Sequence, residues 1–345
     1  MKRMFIVLAV LMAFAGFAVA ELQAAAPFYQ GKTVRVTVGF SAGGGFDLWA
    51  RLVSRHIGRN IPGNPTVIVE NITGAGGLIQ TNQLFKATKA DGLTIGHING
   101  GLILGQMMGQ PGYDFDSTKF IYIGAANKEN NVFVFSTKSG ITSVDKWRSS
   151  PTPVKVGGLV PGNFIDNCDR VMRDVLGFPT QIITGYKGTT DILVATESGE
   201  LAGGPASWDN VKTNRKRQLE EGSMVVVLQF VTKPLKELPK VPKAIDQAKT
   251  DEQKKMVDVI VSQANDYSRP FAVPPGTPKE RVDILRKAWM DTMKDKEFLA
   301  EVEKMQLTRD PTTGDELATA VSGVAKLDQA TRNKLKDILF KTDAK

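Results

Sequence analysis

One cysteine, Cys168, and two histidines, His56 and His97, stand in 345 residues. A lone cysteine closes no internal disulfide, and a chain of this length buries enough surface to need none. Cys168 therefore reads as a small buried apolar side chain. The histidines lie far apart, outside H-E-x-x-H or any similar ligand spacing, and read as structural. There is no G-x-S-x-G elbow and no supported Cys–His pair. No catalytic residue, metal or cofactor is expected. Heptads, short repeats and low-complexity blocks are also missing. The formal charge of +8 is scattered. Its one local concentration, KTNRKRQ at Lys212 to Gln218, has helical neighbours and reads as a solvated face. Nucleic-acid binding would need basic and aromatic residues interleaved on one surface, so no such partner is expected. The charge instead favours solubility and attraction for anions.

What is present begins with MKRMFIVLAVLMAFAGFAVA, in which Lys2 and Arg3 precede an apolar run and an A-x-A pattern ends at Ala20. This reads as a secretory signal peptide over residues 1–20, with cleavage as late as residue 26. A membrane anchor is the competing reading, but the run is short for a span of about 20 residues. No later run is long and apolar enough to cross a bilayer. The mature protein is expected to be exported and soluble. Hydrophobic residues make up 42% and charged residues 23%, a globular balance, and the length calls for two domains.

After the leader, β-branched runs alternate with helical periodicity. TVRVTVGF precedes a segment with Leu48, Leu52, Val53 and Ile57 at helical spacing, stopped by Gly58. PTVIVEN, LTIGHI, FIYIGAA, NVFVFSTK, VKVGGL, TQIITGY and MVVVLQFV read as further strands. The alternation predicts βαβ units and a parallel sheet flanked by helices. Helices are predicted from Asp166 to Leu176, from Thr190 to Ser198, through SWDNVKTNRKRQLEEG, and from Thr277 onward, where Val282, Leu285, Trp289 and Met293 form one stripe. No linker rich in Pro, Gly and Ser divides the chain. The predicted arrangement is a middle segment inserted into a first domain: residues 27–127 plus 230–345, and residues 128–229. Crossing strands near Ala125 to Phe135 and Met224 to Val231 form the hinge.

The most telling local feature is VGFSAGGGFDLWARL, three glycines between a strand and a helix. It is no P-loop, because Phe46 and Asp47 stand where Lys and Ser/Thr are required. It is no dinucleotide fingerprint either, because Leu48 holds the place of the third glycine. Physically, the glycines let backbone amides face a ligand beside a helix N-terminus, which suits an anion. Two or three such bonds could hold a carboxylate with no arginine. Asp47 has two readings: a helix-start acceptor of the first amides, or an acceptor for a ligand donor or bridging water. Similar loops recur at ENITGAGGL, HINGGL, GGLVPGNFID, TGYKGTT and GGPASWDN, where open α/β sheets gather ligands.

Those loops, with LPKVP and RPFAVPPGTPKERVDILRKAW, resemble the TctC or Bug family, the substrate-binding receptors of tripartite tricarboxylate transporters. The resemblance covers nearly the whole mature chain. It implies a type II periplasmic-binding-protein fold, two α/β domains joined by crossover strands, closing on a small organic acid in the periplasm. It also implies delivery to integral-membrane transporter subunits, with the receptor a monomer and no enzyme. The family binds the ligand carboxylate largely through backbone amides and ordered water. Carried over, the ligand contacts are Ser41, Ala42, Gly43, Gly44, Asp47, Asn99 and Gly100, and across the cleft Gly158, Leu159, Tyr186, Lys187, Pro205 and Ser207. Asn163 and Phe164 belong to a loop that departs from the family's small serine-bearing one, and Phe46 replaces a small hydroxylated residue. Phe46, Phe164 and Trp208 either line the cleft, favouring an aromatic or bulky acid, or pack in the core. Two other functions stay open at this level: an exported hydrolase or isomerase on the same scaffold, and a ligand-sensing partner protein.

Overall fold

The computed structural model describes residues 26–340 apart from Thr232. The leader expected over residues 1–20 lies outside them. In chain order the strands are β1 (Thr33–Val38), β2 (Thr66–Asn71), β3 (Thr94–His97), β4 (Ile121–Ala125), β5 (Asn131–Ser136), β6 (Val154–Gly157), β7 (Thr180–Ile183), β8 (Gly203–Ser207), β9 (Met224–Phe230), β10 (Phe271–Val273) and β11 (Thr312–Thr313). They form two sheets, ordered β11-β4-β10-β3-β1-β2 and β7-β6-β8-β5-β9. The chain leaves the first sheet after β4, builds the second, and returns as β10, which inserts between β3 and β4.

β1 buries Val34, Val36 and Val38 and runs parallel to β2 and β3, with Val36 opposite both Val69 and Ile95. The predicted parallel sheet is correct for these strands and for β6 with β7 and β8. Elsewhere it needs correcting. β10 is antiparallel to β3 and β4, β11 is antiparallel to β4, and β5 is antiparallel to β8 and β9. The antiparallel pairs lie where strands connected to the other sheet enter or leave, and not within a βαβ unit. Two helices also differ from the sequence reading. The Asp166 to Leu176 helix runs as Phe164–Arg170 and then widens into a π-helical turn over Val171–Val175. The long charged helix is two, Trp208–Asn214 and Lys216–Glu220, divided at Arg215, which is buried and paired with Glu197.

The first sheet packs against the helices Gly45–Ile57 and Lys279–Thr292. Leu52, Val53 and Ile57 of the former are buried, as is the whole stripe Val282, Leu285, Trp289 and Met293. Trp289 meets Phe271 of β10 with ring centroids 4.8 Å apart. In the second sheet Trp147 sits among Phe133, Phe135 and Phe178 at 4.4, 5.0 and 4.9 Å. Full burial of each such side chain contributes roughly 1.5–3 kcal/mol.

The apolar interior is not divided as the sheets are. One cluster contains Ile98 and Leu102 from the β3 side, Phe133 and Val156 from the second sheet, and Met256, Val257, Leu335 and Leu339 from the carboxy-terminal helices. The helix Gln329–Phe340 packs against Phe164–Arg170, and the carbonyl of Ile338 accepts a hydrogen bond from Arg170 at 3.3 Å. A shared core of this kind unfolds as one unit. Leu335→Ala should cost about 2–5 kcal/mol in urea denaturation while near-UV and far-UV signals stay coincident. Two separated transitions in the wild type would contradict the shared core.

Candidate functional site

The site starts from β1. Past Gly39 the chain leaves the sheet, and Gly44, extended at φ −79° and ψ 171°, caps the helix Gly45–Ile57 without a side-chain hydrogen bond. The amides of Gly45 and Phe46 fall in the first turn, where no earlier helical carbonyl accepts them. Asp47 acts as a strut for this loop. Its carboxylate accepts from the Gly43 amide at 2.9 Å, Arg51 Nε at 2.8 Å and Asn71 Nδ2 at 2.9 Å. Burial would raise its pKa, but the Arg51, Gly43 and Asn71 hydrogen bonds outweigh that and hold it below the usual carboxylate range. The amide it accepts from is that of Gly43, ahead of the helix, and not one of the first helical amides expected in the helix-start reading.

Across from the glycine loop, Gly188 caps the helix Thr189–Ser198, also extended and also without a side-chain cap. Between the two helix starts lies a cavity of about 390 Å³ lined by Ser41, Ala42, Gly43, Gly44, Gly45 and Phe46 on one side. Leu159, Asn163, Phe164, Lys187, Thr189 and Ser207 face them. Asn99 is part of the wall, but its amide group is engaged by Gly76 O at 2.9 Å and Gly101 N at 3.0 Å. The side-chain oxygen of Asn163 caps Ile165 N at 2.9 Å. A larger groove, about 1060 Å³, runs past Trp208, Lys212, Leu235 and Leu307. Several of its polar groups satisfy one another: Trp208 Nε1 and Lys212 Nζ donate to Glu237 at 2.7 and 3.0 Å, and Lys212 Nζ also donates to Thr308 Oγ1 at 3.1 Å. The smaller cavity is the one where helix-start donors converge, and it is the candidate site.

Neither a protein-family model nor a curated protein sequence matches the chain. Solved structures do. The periplasmic binding protein BugD is similar with a TM-score of 0.70 and 19% identity, over 90% of this chain and 98% of BugD. A TctC solute-binding protein from Polaromonas gives 0.62 and 18%, over 90% and 99%. MatC from Rhodopseudomonas palustris with bound malate gives 0.68 and 17%, over 90% and 99%. The chain has the Bug/TctC periplasmic-binding-protein fold. The resemblance read from the glycine loops agrees with it, and so does the expectation of two α/β lobes.

Within this Bug/TctC-type fold, several residues named from the sequence stand off the cavity wall, each for a visible reason. Asp47 is turned back into its own loop. The Gly100 amide donates to Ser268 O at 2.9 Å and the Gly158 amide to Ile183 O at 2.9 Å, so neither is available to a ligand. The Tyr186 hydroxyl donates to Glu200. Pro205 is buried inside β8 opposite Phe133. Trp208 faces the larger groove. Conversely, Phe40, Gly45, Thr190, Asp191 and Asn210 line the cavity without having been named, and so do Glu129 and Arg269. The Thr-Thr-Asp following Gly188 was a visible helix start. Arg269 opens the run RPFAVPPG, but nothing in that run marks it as facing Glu129.

Arg269 is the main addition. Its Nε and Nη2 donate to the Glu129 carboxylate, the latter at 2.8 Å, and its guanidinium lies over the Phe46 ring, 4.5 Å from the centroid. Both partners are almost fully buried. A Cβ on Gly45 would stand 2.9 Å from Arg269 Nη2, so any larger residue here would have to displace the guanidinium. His97 stacks on Phe271 at 4.0 Å behind Phe46, and burial together with the Arg269 charge holds its pKa well below the ordinary imidazole value. It adds no positive charge to the site.

Behind the wall, Asp169 is fully buried. Burial first, then the neighbouring Asp166 charge, raises its pKa well above the usual carboxylate value. The folded state therefore keeps a proton that the unfolded chain releases above about pH 4, and Asp169 subtracts stability as pH rises from there. Asp169→Asn should raise the unfolding free energy clearly more at pH 7 than at pH 3. An equal effect at both pH values in urea denaturation would refute the protonated assignment.

Proposed function

We propose that this protein is a periplasmic solute-binding receptor that captures a small organic carboxylate between its two lobes and delivers it to the membrane subunits of a tripartite tricarboxylate-type transporter. The observation that carries the reading is the convergence of two uncapped helix N-termini, at Gly45 and Thr189, on one cavity of about 390 Å³. Free amide donors and the helix dipole stabilise an anion there, each charge-assisted bond contributing roughly 1.5–3 kcal/mol and the dipole roughly 0.3–1 kcal/mol. Malate bound to the similarly folded MatC supports a carboxylate as the ligand class. On this reading the lobes are residues 27–127 plus 230–345 and residues 128–229, and the crossing strands near Ala125 to Phe135 and Met224 to Val231 act as the hinge. The protein acts as a single chain and catalyses no reaction. The contacts are the amides of Gly44, Gly45 and Phe46, with Ser41, Ala42, Gly43, Asn163, Lys187 and Ser207 around them.

A thermal-shift screen of organic acids tests this directly, because a ligand that binds only the folded state raises its stability. Concentration-dependent stabilisation by a subset of acids is expected; silence across mono-, di- and tricarboxylates and aromatic acids removes the proposal. Gly44 is the position for a steric test. A Cβ there meets nothing nearer than Ser41 O at 3.7 Å, and its backbone angles suit any residue. Gly44→Val should leave the melting temperature of the free protein within a few degrees and lower affinity at least about a hundredfold by filling the approach to the amides. Unchanged affinity would move the ligand away from this loop.

A further inference from the structure

The proposed function leaves the kind of acid open, and the charges lining the cavity narrow it. Among the described residues these are Glu129, Lys187, Asp191 and Arg269, two of each sign. A cavity built for several ligand carboxylates would carry an excess of positive charge, because every buried anion needs its own compensation.

The two ends of the cavity differ. At the glycine-loop end, Arg269 has given Nε and Nη2 to Glu129, while its Nη1 is buried and makes no hydrogen bond to the described residues. A Cβ on Gly45 would stand 3.1 Å from that Nη1, which places this donor beside the first helical amides. One anionic group can therefore be met by the helix start and by a single guanidinium donor. A second one nearby would face the Glu129 carboxylate. Both helices carry an acid in the first turn, but Asp47 is paired with Arg51 whereas Asp191 makes no ion pair among the described residues, so the positive end of the dipole is offset more at the Thr189 end. Of the groups around it, Thr189, Thr190 and Asn210 are uncharged, and the cation Lys187, beside Gly188, is matched in sign count by Asp191. Between the ends the wall is apolar, with Phe40 and Phe46 at 4.7 Å from each other, and with Leu159, Phe164 and Ile165.

We infer that the ligand is a monocarboxylate with an apolar or aromatic body and an uncharged polar far end. Arg269, held by Glu129, is the specificity-determining anchor, and Glu129 and Asp191 exclude a second carboxylate. This inference rests on the receptor reading and selects within it.

The test uses the full mature chain and matched acids of equal length: hexanoate against adipate, and 4-hydroxybenzoate against terephthalate. Isothermal titration is expected to show the monoacid of a pair binding at least about tenfold tighter. Asp191→Asn, at an exposed position, and Glu129→Gln should each shrink that ratio by about tenfold. The double variant Arg269→Gln/Glu129→Gln avoids stranding a buried charge and should weaken monoacid binding roughly 10- to 100-fold, with folding checked by circular dichroism. A wild type that prefers diacids, or a ratio unmoved by Asp191→Asn in a folded protein, overturns the inference while leaving the receptor reading intact. Absence of binding by any acid overturns both.

Discussion

The first turn of an α-helix presents amide donors that the helix itself cannot pair, and the candidate site is organised around one such turn. The loop from Ser41 to Gly44 carries the chain off β1 to the helix Gly45–Ile57, and the strut from Asp47 to Gly43, Arg51 and Asn71 fixes its path. Two of those struts come from outside the loop, from the next helical turn and the end of β2. The donors are thus positioned by the first sheet in the free chain, which would limit the ordering cost of holding an anion there.

Charge compensation is the second constraint. A guanidinium as buried as Arg269 requires an acid, and Glu129 supplies it from the segment where the chain passes from the first sheet to the second. The pair ties that crossing to the entry of β10, while Ser268 Oγ accepts the Glu129 amide at 2.9 Å. The same residues therefore hold the junction of the lobes and define one end of the cavity. The apolar cluster that joins the lobes through the carboxy-terminal helices adds a further restraint. Any closure of the lobes would have to leave the contacts of Leu335 and Leu339 in place or slide along them.

Much of this architecture was legible because hydrophobic periodicity reports which face of an element is buried. Val34, Val36 and Val38 alternate, Val282 to Met293 form a stripe, and glycines at strand ends mark where loops gather. The elements that escaped notice lack such a signal. β8 reads GGPAS, with too few apolar side chains to resemble a strand, and it stays in the sheet because close neighbours such as Ile192 and Phe135 leave room only for glycine at Gly204 and Gly203. β10 and β11 are three and two residues long, too short for any period. The antiparallel pairings depend on long excursions between sheets, which local pattern does not encode. At the site, the glycine loop was readable, whereas the Glu129–Arg269 pair spans 140 positions and has no spacing to betray it. Trp208 shows the converse: an aromatic beside a glycine loop was a natural candidate, but its indole N–H found Glu237 in the other groove.

The central claim is that main-chain amides at the start of the helix Gly45–Ile57 receive the ligand. Amide proton and nitrogen shifts of isotope-labelled protein, followed during titration with a stabilising acid, test it most directly. The account predicts the largest saturable changes at Gly44, Gly45 and Phe46, with a second set at Thr189 and Thr190. Changes centred on the groove around Trp208, Lys212 and Thr308, with the glycine loop unmoved, would contradict it.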